Sequence, residues 1–304
     1  MKKIDFHVHI LNQIPVEDTV KNFSDMCDRK GYEGVVIQTL CHATDGSDLL
    51  ANEKALQIIS AMPNSYAFAS LKYDENFVEQ TKKYMSLGFR GIKLLNGKPT
   101  EYKYSGLGIE HERFAPFFEF CEKEQFPVLI HNNDPAMHWD ITKASKRAIE
   151  KGWVYDETFP SHKYLFEALE KTLERFPHLK VALAHLGFYS NNLYKAEELL
   201  ECFPNLYFDI TPALIIYSEL SQAPELSNAF FTKYHDRLIY GTDAENDLVG
   251  KARAYNDLKT EIITHFLEGE GSRDIGEYHI CPIKLEQYML QNIYYNNAKK
   301  FMNI

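Results

Sequence analysis

Lys3-Ile4-Asp5-Phe6-His7-Val8-His9 opens the chain with seven residues in which apolar and polar side chains alternate. That alternation is the period of a β-strand, on which every second side chain points the same way. His7 and His9 then share one face, and Phe6 and Val8 are expected on the other, against a layer of helices. Two imidazoles at the end of a first strand are costly to bury unless something satisfies their nitrogens. A divalent metal does so, and histidine is a common ligand of zinc. The pair alone is a weak signal, because chance histidines on a surface or in a core produce it too.

Seven more strand-length apolar segments follow: Gly34–Thr39, Tyr66–Leu71, Gly91–Leu95, Pro127–His131, Lys180–His185, Leu206–Ile210 and Leu238–Thr242. Helical spacing fills the gaps between them. Asp18 to Lys30 carries Val20, Phe23 and Cys27 and stops at Gly31; Asp48 to Met62 carries Leu49, Leu50, Ala55, Leu56 and Ile59. Ser161 has the chemistry of an N-cap for a helix bearing Leu165, Ala168, Leu169 and Leu173. Phe176-Pro177 and Phe203-Pro204 end helices just before strands, since proline disfavours helix at the residue it follows. Eight alternations of strand and helix imply parallel pairing and predict a closed (β/α)8 TIM barrel over residues 1–304, a single domain. An open doubly wound sheet would want a glycine-rich turn after the first strand, and His9-Ile10-Leu11-Asn12 has none. Two segments exceed an ordinary connection. Asn132 to His178 forms an extended loop after strand 5, expected to wall the pocket, and Glu268 to Pro282 links the last barrel helix to a C-terminal helix, Ile283–Asn303.

His131, His185 and Asp243 stand at or just past the ends of the fifth, sixth and eighth apolar runs. In a (β/α)8 barrel those positions converge on the C-terminal mouth, where active sites sit. His7, His9, His131, His185 and Asp243 are therefore expected around one divalent cation. Composition excludes other classes. The net charge of −10 disfavours nucleic acid and anionic membrane as partners, leaving a small molecule. No apolar run reaches the roughly 18 residues of a membrane span. Met1-Lys2-Lys3 starts like a leader, but Asp5, His7 and His9 interrupt it, and the five scattered cysteines suit reduced thiols, so a cytoplasmic protein is expected.

His7-Val8-His9, Gly88-Phe89-Arg90-Gly91-Ile92-Lys93-Leu94, the strand-ending His131 and His185, and Gly241-Thr242-Asp243 together resemble the amidohydrolase superfamily. The likeness is to the amidohydrolase-related group that also contains aminocarboxymuconate-semialdehyde decarboxylase, and it runs to about Asp247. The resemblance implies one metal, zinc first and manganese as the alternative, held by His7, His9, His131 and Asp243. It also implies that His185 contacts or polarises the metal-bound water and that Asp243 takes its proton; an imidazole at that place could also stabilise negative charge developing on the substrate oxygen. Binuclear relatives carry a carboxylated lysine at the position of Lys93; the single-metal reading instead turns an unmodified Lys93 toward an anionic substrate. A homodimer is expected on the same ground.

Trp139 and Asp209 join Lys93 as substrate-facing candidates, Trp139 as a flat apolar wall and Asp209 also as a residue that orients a ligand. His42 and His138 fall on loops at the mouth. The leading function is hydrolysis of an amide, lactone or ester by metal-activated water. The alternative is non-oxidative decarboxylation on the same ligands. Decarboxylation would want an arginine near the metal, and Arg90 is expected to face outward. A nuclease or phosphoesterase would want a glutamate where Lys93 stands, and an inert scaffold would not need all five mouth residues.

Overall fold

The computed structural model describes residues 1–41 and 51–304. His42 and the first turn of the expected second helix lie outside the described residues. Strands β1 (Lys3–His9), β2 (Tyr32–Gln38), β3 (Tyr66–Ser70), β4 (Gly91–Gly97), β5 (Val128–Asn132), β6 (Val181–Leu183), β7 (Leu206–Asp209) and β8 (Leu238–Ile239) pair in parallel in that order. A two-residue ninth piece, β9 (Ala244–Glu245), pairs with β1. The N–H of Phe6 donates to Tyr240 O at 3.1 Å and that of Asp243 to His7 O at 2.8 Å, so the eighth strand meets the first and the ring closes. The fold is the expected TIM barrel. Among the described residues, no helix is long and apolar enough to cross a membrane.

Helix boundaries follow the local chemistry. Val16–Lys30 stops where the Gly31 N–H returns to Cys27 O. His162–Arg175 starts where the Ser161 hydroxyl accepts from Tyr164 N at 3.2 Å. The next helix, Leu193–Cys202, ends just ahead of Phe203-Pro204. The extended loop after strand 5 holds a short 3-10 turn, Ala136–Trp139, and a helix, Lys146–Glu150. Backbone bonds from Tyr155 N to His138 O and from Trp153 N to Ala148 O, both 2.8 Å, fold it onto itself.

The barrel interior is layered. A buried apolar cluster takes Ile4 and Phe6 from β1, Val36 from β2, Phe68 from β3, Leu129 from β5, Ala182 from β6, Tyr207 from β7 and Ile239 from β8. On β4 the same level is Gly91, where an added Cβ would sit 2.1 Å from the ring of Phe68. Two residues further along β2, β4, β5 and β7 the inward positions turn polar, and there stand Gln38, Lys93, His131 and Asp209.

Phe6 departs from the expected alternation. It lies inside the barrel, 5.5 Å from Phe68 and 5.8 Å from Phe301 between ring centroids, while Val8 packs in the outer cluster. The cause is a bulge: between the pairings Asp5↔Val35 and Val8↔Ile37, β1 advances three residues while β2 advances two. The extra residue lets Phe6 and His7 both face inward, one in the apolar floor and one in the polar layer above it.

The C-terminal segment also differs from the expected continuous helix over Ile283–Asn303. Ile283 N and Leu285 N bond to Phe266 O and Leu267 O, so the start is extended, and helix begins at Gln287. Asn292–Asn296 is a π-turn, and the carbonyl of Ile293 accepts from Tyr240 N at 3.0 Å, out of the helix and onto the barrel. Helix Asn297–Phe301 then delivers Ala298, Phe301 and Met302 to the interior cluster. The linker between Glu268 and Pro282 holds a hairpin of Arg273–Ile275 and Tyr278–Ile280, turning at Gly276-Glu277.

Candidate metal centre

His7 and His9 reach the mouth from β1, and each is fixed through Nδ1. His9 Nδ1 lies 2.7 Å from the carbonyl of Gln38, which can only accept, so Nδ1 carries the proton. His7 Nδ1 lies 2.5 Å from Asp209 Oδ2, and Asp209 is itself held by Thr211 N at 2.9 Å. Both rings are thereby left with a bare Nε2. Those two nitrogens face each other at 3.1 Å, and Asp243 Oδ1 is 3.2 Å from that of His9. With the Nδ1 protons so placed, three electron pairs converge with no proton among them, which is repulsive unless a cation lies there. The ligand-capable atoms of His7, His9 and Asp243 all fall within 4.8 Å of one another. The donor set fits a divalent metal.

Asp243 arrives there because strand eight breaks. Its φ is +57°, in the left-handed region, and β8 and β9 lie on either side of the kink. The preceding residue is pinned from β1: the buried carboxylate of Asp5 accepts from Thr242 N at 2.9 Å and from Thr242 Oγ1 at 2.5 Å. Burial pushes the Asp5 carboxyl up to about 7 against those bonds. Burial would raise Asp243 as well, but Lys259 and His9 outweigh it and hold it well below the usual carboxylate range. Asp209, fully buried, is pushed up to about 6, with Thr211 opposing.

His131 and His185 form the other flank, their ring centroids 4.9 Å apart, with His185 5.7 Å from His7. Of the four residues expected to hold the cation, three converge and His131 stands beside them, with Nε2 turned to Asp134 Oδ1 at 3.3 Å and Nδ1 left over. His185 does not end a strand; β6 finishes at Leu183, and His185, Leu186 and Phe188 follow with φ between +53° and +59°. Its Nδ1 faces the carbonyl of Thr211 at 3.2 Å, so in this tautomer it offers the site an acceptor, whereas the expected role of stabilising negative charge needs a donor. Burial lowers both His131 and His185 to about 4 and His7 well below the histidine norm, so all three rings are neutral near pH 7.

Lys93 stands inward on β4, 2 % exposed, and its ammonium has no hydrogen-bond partner among the described residues. Burial brings it down to about 8, with Asp209 and Asp243 opposing. A buried cation left without a partner is a place for an anion. Trp139 is held within its own loop. Its Nε1 donates to Pro160 O at 3.2 Å and its ring packs on Tyr155 and His162, because the loop closes around it. Arg90 is exposed, over the ring of Tyr66, and His138 is buried against Tyr155.

Asp134 lies in the loop expected to wall the pocket and was not among the residues expected beside the cation. This buried carboxylate accepts from Lys98 Nζ at 3.0 Å and from Tyr155 OH at 2.5 Å besides facing His131, and Lys98 lies 4.6 Å over Trp153. Burial favours its neutral form, yet Lys98, His131 and Tyr155 together hold it far below the carboxylate norm. Its position three residues past His131 was the available signal.

A closed parallel barrel with imidazoles and carboxylates gathered at its C-terminal mouth defines the class of barrel enzymes built around a metal. The amidohydrolase family model matches residues 4–304, and the chain belongs to that family. No curated protein matches the sequence. Among solved structures, a TIM-barrel protein from Bordetella bronchiseptica superposes with a TM-score of 0.62 at 16% identity, covering 100% of this chain and 99% of that one. The 2,6-dihydroxybenzoate decarboxylase from Rhizobium gives 0.60 at 12% identity, with 100% and 99% covered. A dihydroxybenzoic acid decarboxylase from Polaromonas, solved with manganese and 2-nitroresorcinol, gives 0.57 at 14% identity, with 99% and 97% covered. At these identities the likeness is one of fold.

Proposed function

We propose that this chain is a metal-dependent hydrolase that cleaves an amide, lactone or ester bond in a small carboxylate-bearing molecule. The observation that carries the reading is the convergence of the His7, His9 and Asp243 electron pairs at 3.1 and 3.2 Å beside the unpartnered ammonium of Lys93. His7, His9 and Asp243 would hold the cation, and Nδ1 of His131 is the nearby donor that could complete the set; zinc is the first choice and manganese the second. A divalent cation there supplies Lewis acidity, polarising a carbonyl and bringing the pKa of water down to roughly 7. Lys93 binds the substrate carboxylate. His185, neutral and presenting Nε2, accepts a hydrogen bond from the attacking water and orients it. Asp243 takes the proton as that water adds. The acidic surface is in keeping with a small-molecule substrate and not a polyanion.

Decarboxylation of a hydroxylated aromatic acid is the second reading, and one observation favours it. Lys259 and His9 hold Asp243 well below the carboxylate norm, which makes it a weak base for hydrolysis, while Lys93 would receive a carboxylate in either reaction. Two of the similar barrels are named as decarboxylases. The test is a panel of lactones, amides, esters and hydroxybenzoic acids offered to zinc- and manganese-loaded protein, following acid release and carbon dioxide separately. Hydrolysis that Asp243→Asn reduces by about 100-fold or more supports the first reading. Carbon dioxide without hydrolysis selects the second, and a purified protein that takes up no divalent ion retracts both.

A further inference from the structure

We infer that Lys259, on a helix outside the barrel, is a positioning residue that fixes Asp243 in the conformation the mouth requires. Lys259 belongs to Gly250–Glu268 and shares that helix's buried face with Asn256, Ile262, Ile263 and Phe266. It is 3 % exposed, too deep for an ammonium that merely reaches solvent along an apolar wall. Burying a lysine is costly, so an apolar side chain would serve the helix better unless the charge has a task.

The contacts define that task. Lys259 Nζ donates to the main-chain carbonyl of Asp243 and lies 3.8 Å from its Oδ2. A non-glycine residue with φ near +57° is strained and persists only where its surroundings over-determine it. Three ties do so here: Asp5 on Thr242, the Asp243 N–H to His7 O, and Lys259 on the Asp243 carbonyl. The carboxylate is divided as well. Oδ2 faces Lys259, and Oδ1 alone is left beside His9. Lys259 is also the cation that faces Asp5, Asp243 and Glu245 together, with Arg147 the other positive group nearby. The contact with Asp243 stands by itself; its consequence for a cation rests on the metal reading above.

Lys259→Met keeps the length and apolar bulk and removes the donor. In metal-free protein, hydrogen–deuterium exchange over Gly241–Asn246 is expected to quicken by about tenfold or more. Ile263→Ala, which loosens the same helix face without touching Asp243, should leave that segment protected. Cobalt affinity, measured by chelator competition, is expected to fall about tenfold in Lys259→Met. Unchanged exchange overturns the proposal. So does cobalt binding that is unchanged or tighter, the result if Lys259 only repelled the cation. A wild-type protein that binds no cobalt removes the metal reading, and the exchange experiment still decides the role of Lys259.

Discussion

The 2.5 Å contact between His7 Nδ1 and Asp209 Oδ2 sets both the tautomer and the ring orientation of His7. Partners of this kind typically change metal affinity by about 10–100-fold when removed. Asp209→Asn keeps the shape and loses the charge, so zinc affinity is expected to drop within that range, as equilibrium dialysis against a chelator would show. Sequence alone reached His7, His9, His131, His185 and Asp243, because each is a polar residue at or just beyond the end of an apolar run. It did not reach Asp134 or Lys259, whose relevance depends on which loop folds over which strand. A lysine in register with Ile262, Ile263 and Phe266 was a clue, since it places a charge on an apolar helix face. For Trp139 the sequence could not show the loop contacts: a large aromatic near a mouth can wall a pocket and also anchor its own loop, and Trp139 packs on Tyr155 and His162 and donates to Pro160 O.

At the scale of elements, β1 and the Gly241–Asp243 turn approach so closely that a side chain cannot fit between them. A Cβ at Gly241 would meet His7 Cβ and Thr211 Oγ1, each at 2.7 Å. Gly241→Ala is therefore expected to destabilise the protein by about 1–3 kcal/mol and to move His7 away from His9. A lowered urea midpoint together with weakened cobalt binding would show both; loss of stability with unchanged binding would mean that strand eight yields instead. The eight strands and the main helices were legible because periodicity and proline breaks are local signals. The β1 bulge was not, since alternation in one strand cannot reveal a register slip against its neighbour. The π-turn was equally hidden: it exists because Tyr240 takes the Ile293 carbonyl, a contact 53 positions distant.

For the molecule as a whole, the neutral buried histidines make stability depend on pH. His131 and His185 titrate near 4 when folded and near 6.5 when unfolded, so below 6.5 the unfolded chain binds protons that the folded one refuses. Their contribution is complete above pH 6.5 and is lost as pH falls to 4, on the order of 3 kcal/mol for each ring. Asp5 and Asp209, raised to about 7 and about 6 when folded, act in the opposite sense across the same window, so the histidine contribution is read as a difference between variants. Between pH 6.5 and 4 the urea midpoint of metal-free His185→Gln should fall less, or rise more, than that of the wild type; parallel profiles would place the ring in contact with solvent. Phe301, which closes the inner layer against Phe6 and Phe68, is expected to cost about 3–5 kcal/mol on replacement by alanine, read from the same titration.

That inner layer is furnished by two segments far apart in the chain, since Ile4 and Phe6 of β1 pack with Ala298, Phe301 and Met302. During synthesis the first strand leaves the ribosome almost three hundred residues ahead of the aromatic ring that seats against it. Ribosome-bound chains halted after residue 285 should stay open to protease, and the native pattern of resistance should emerge only once the last two helical turns are free of the exit tunnel.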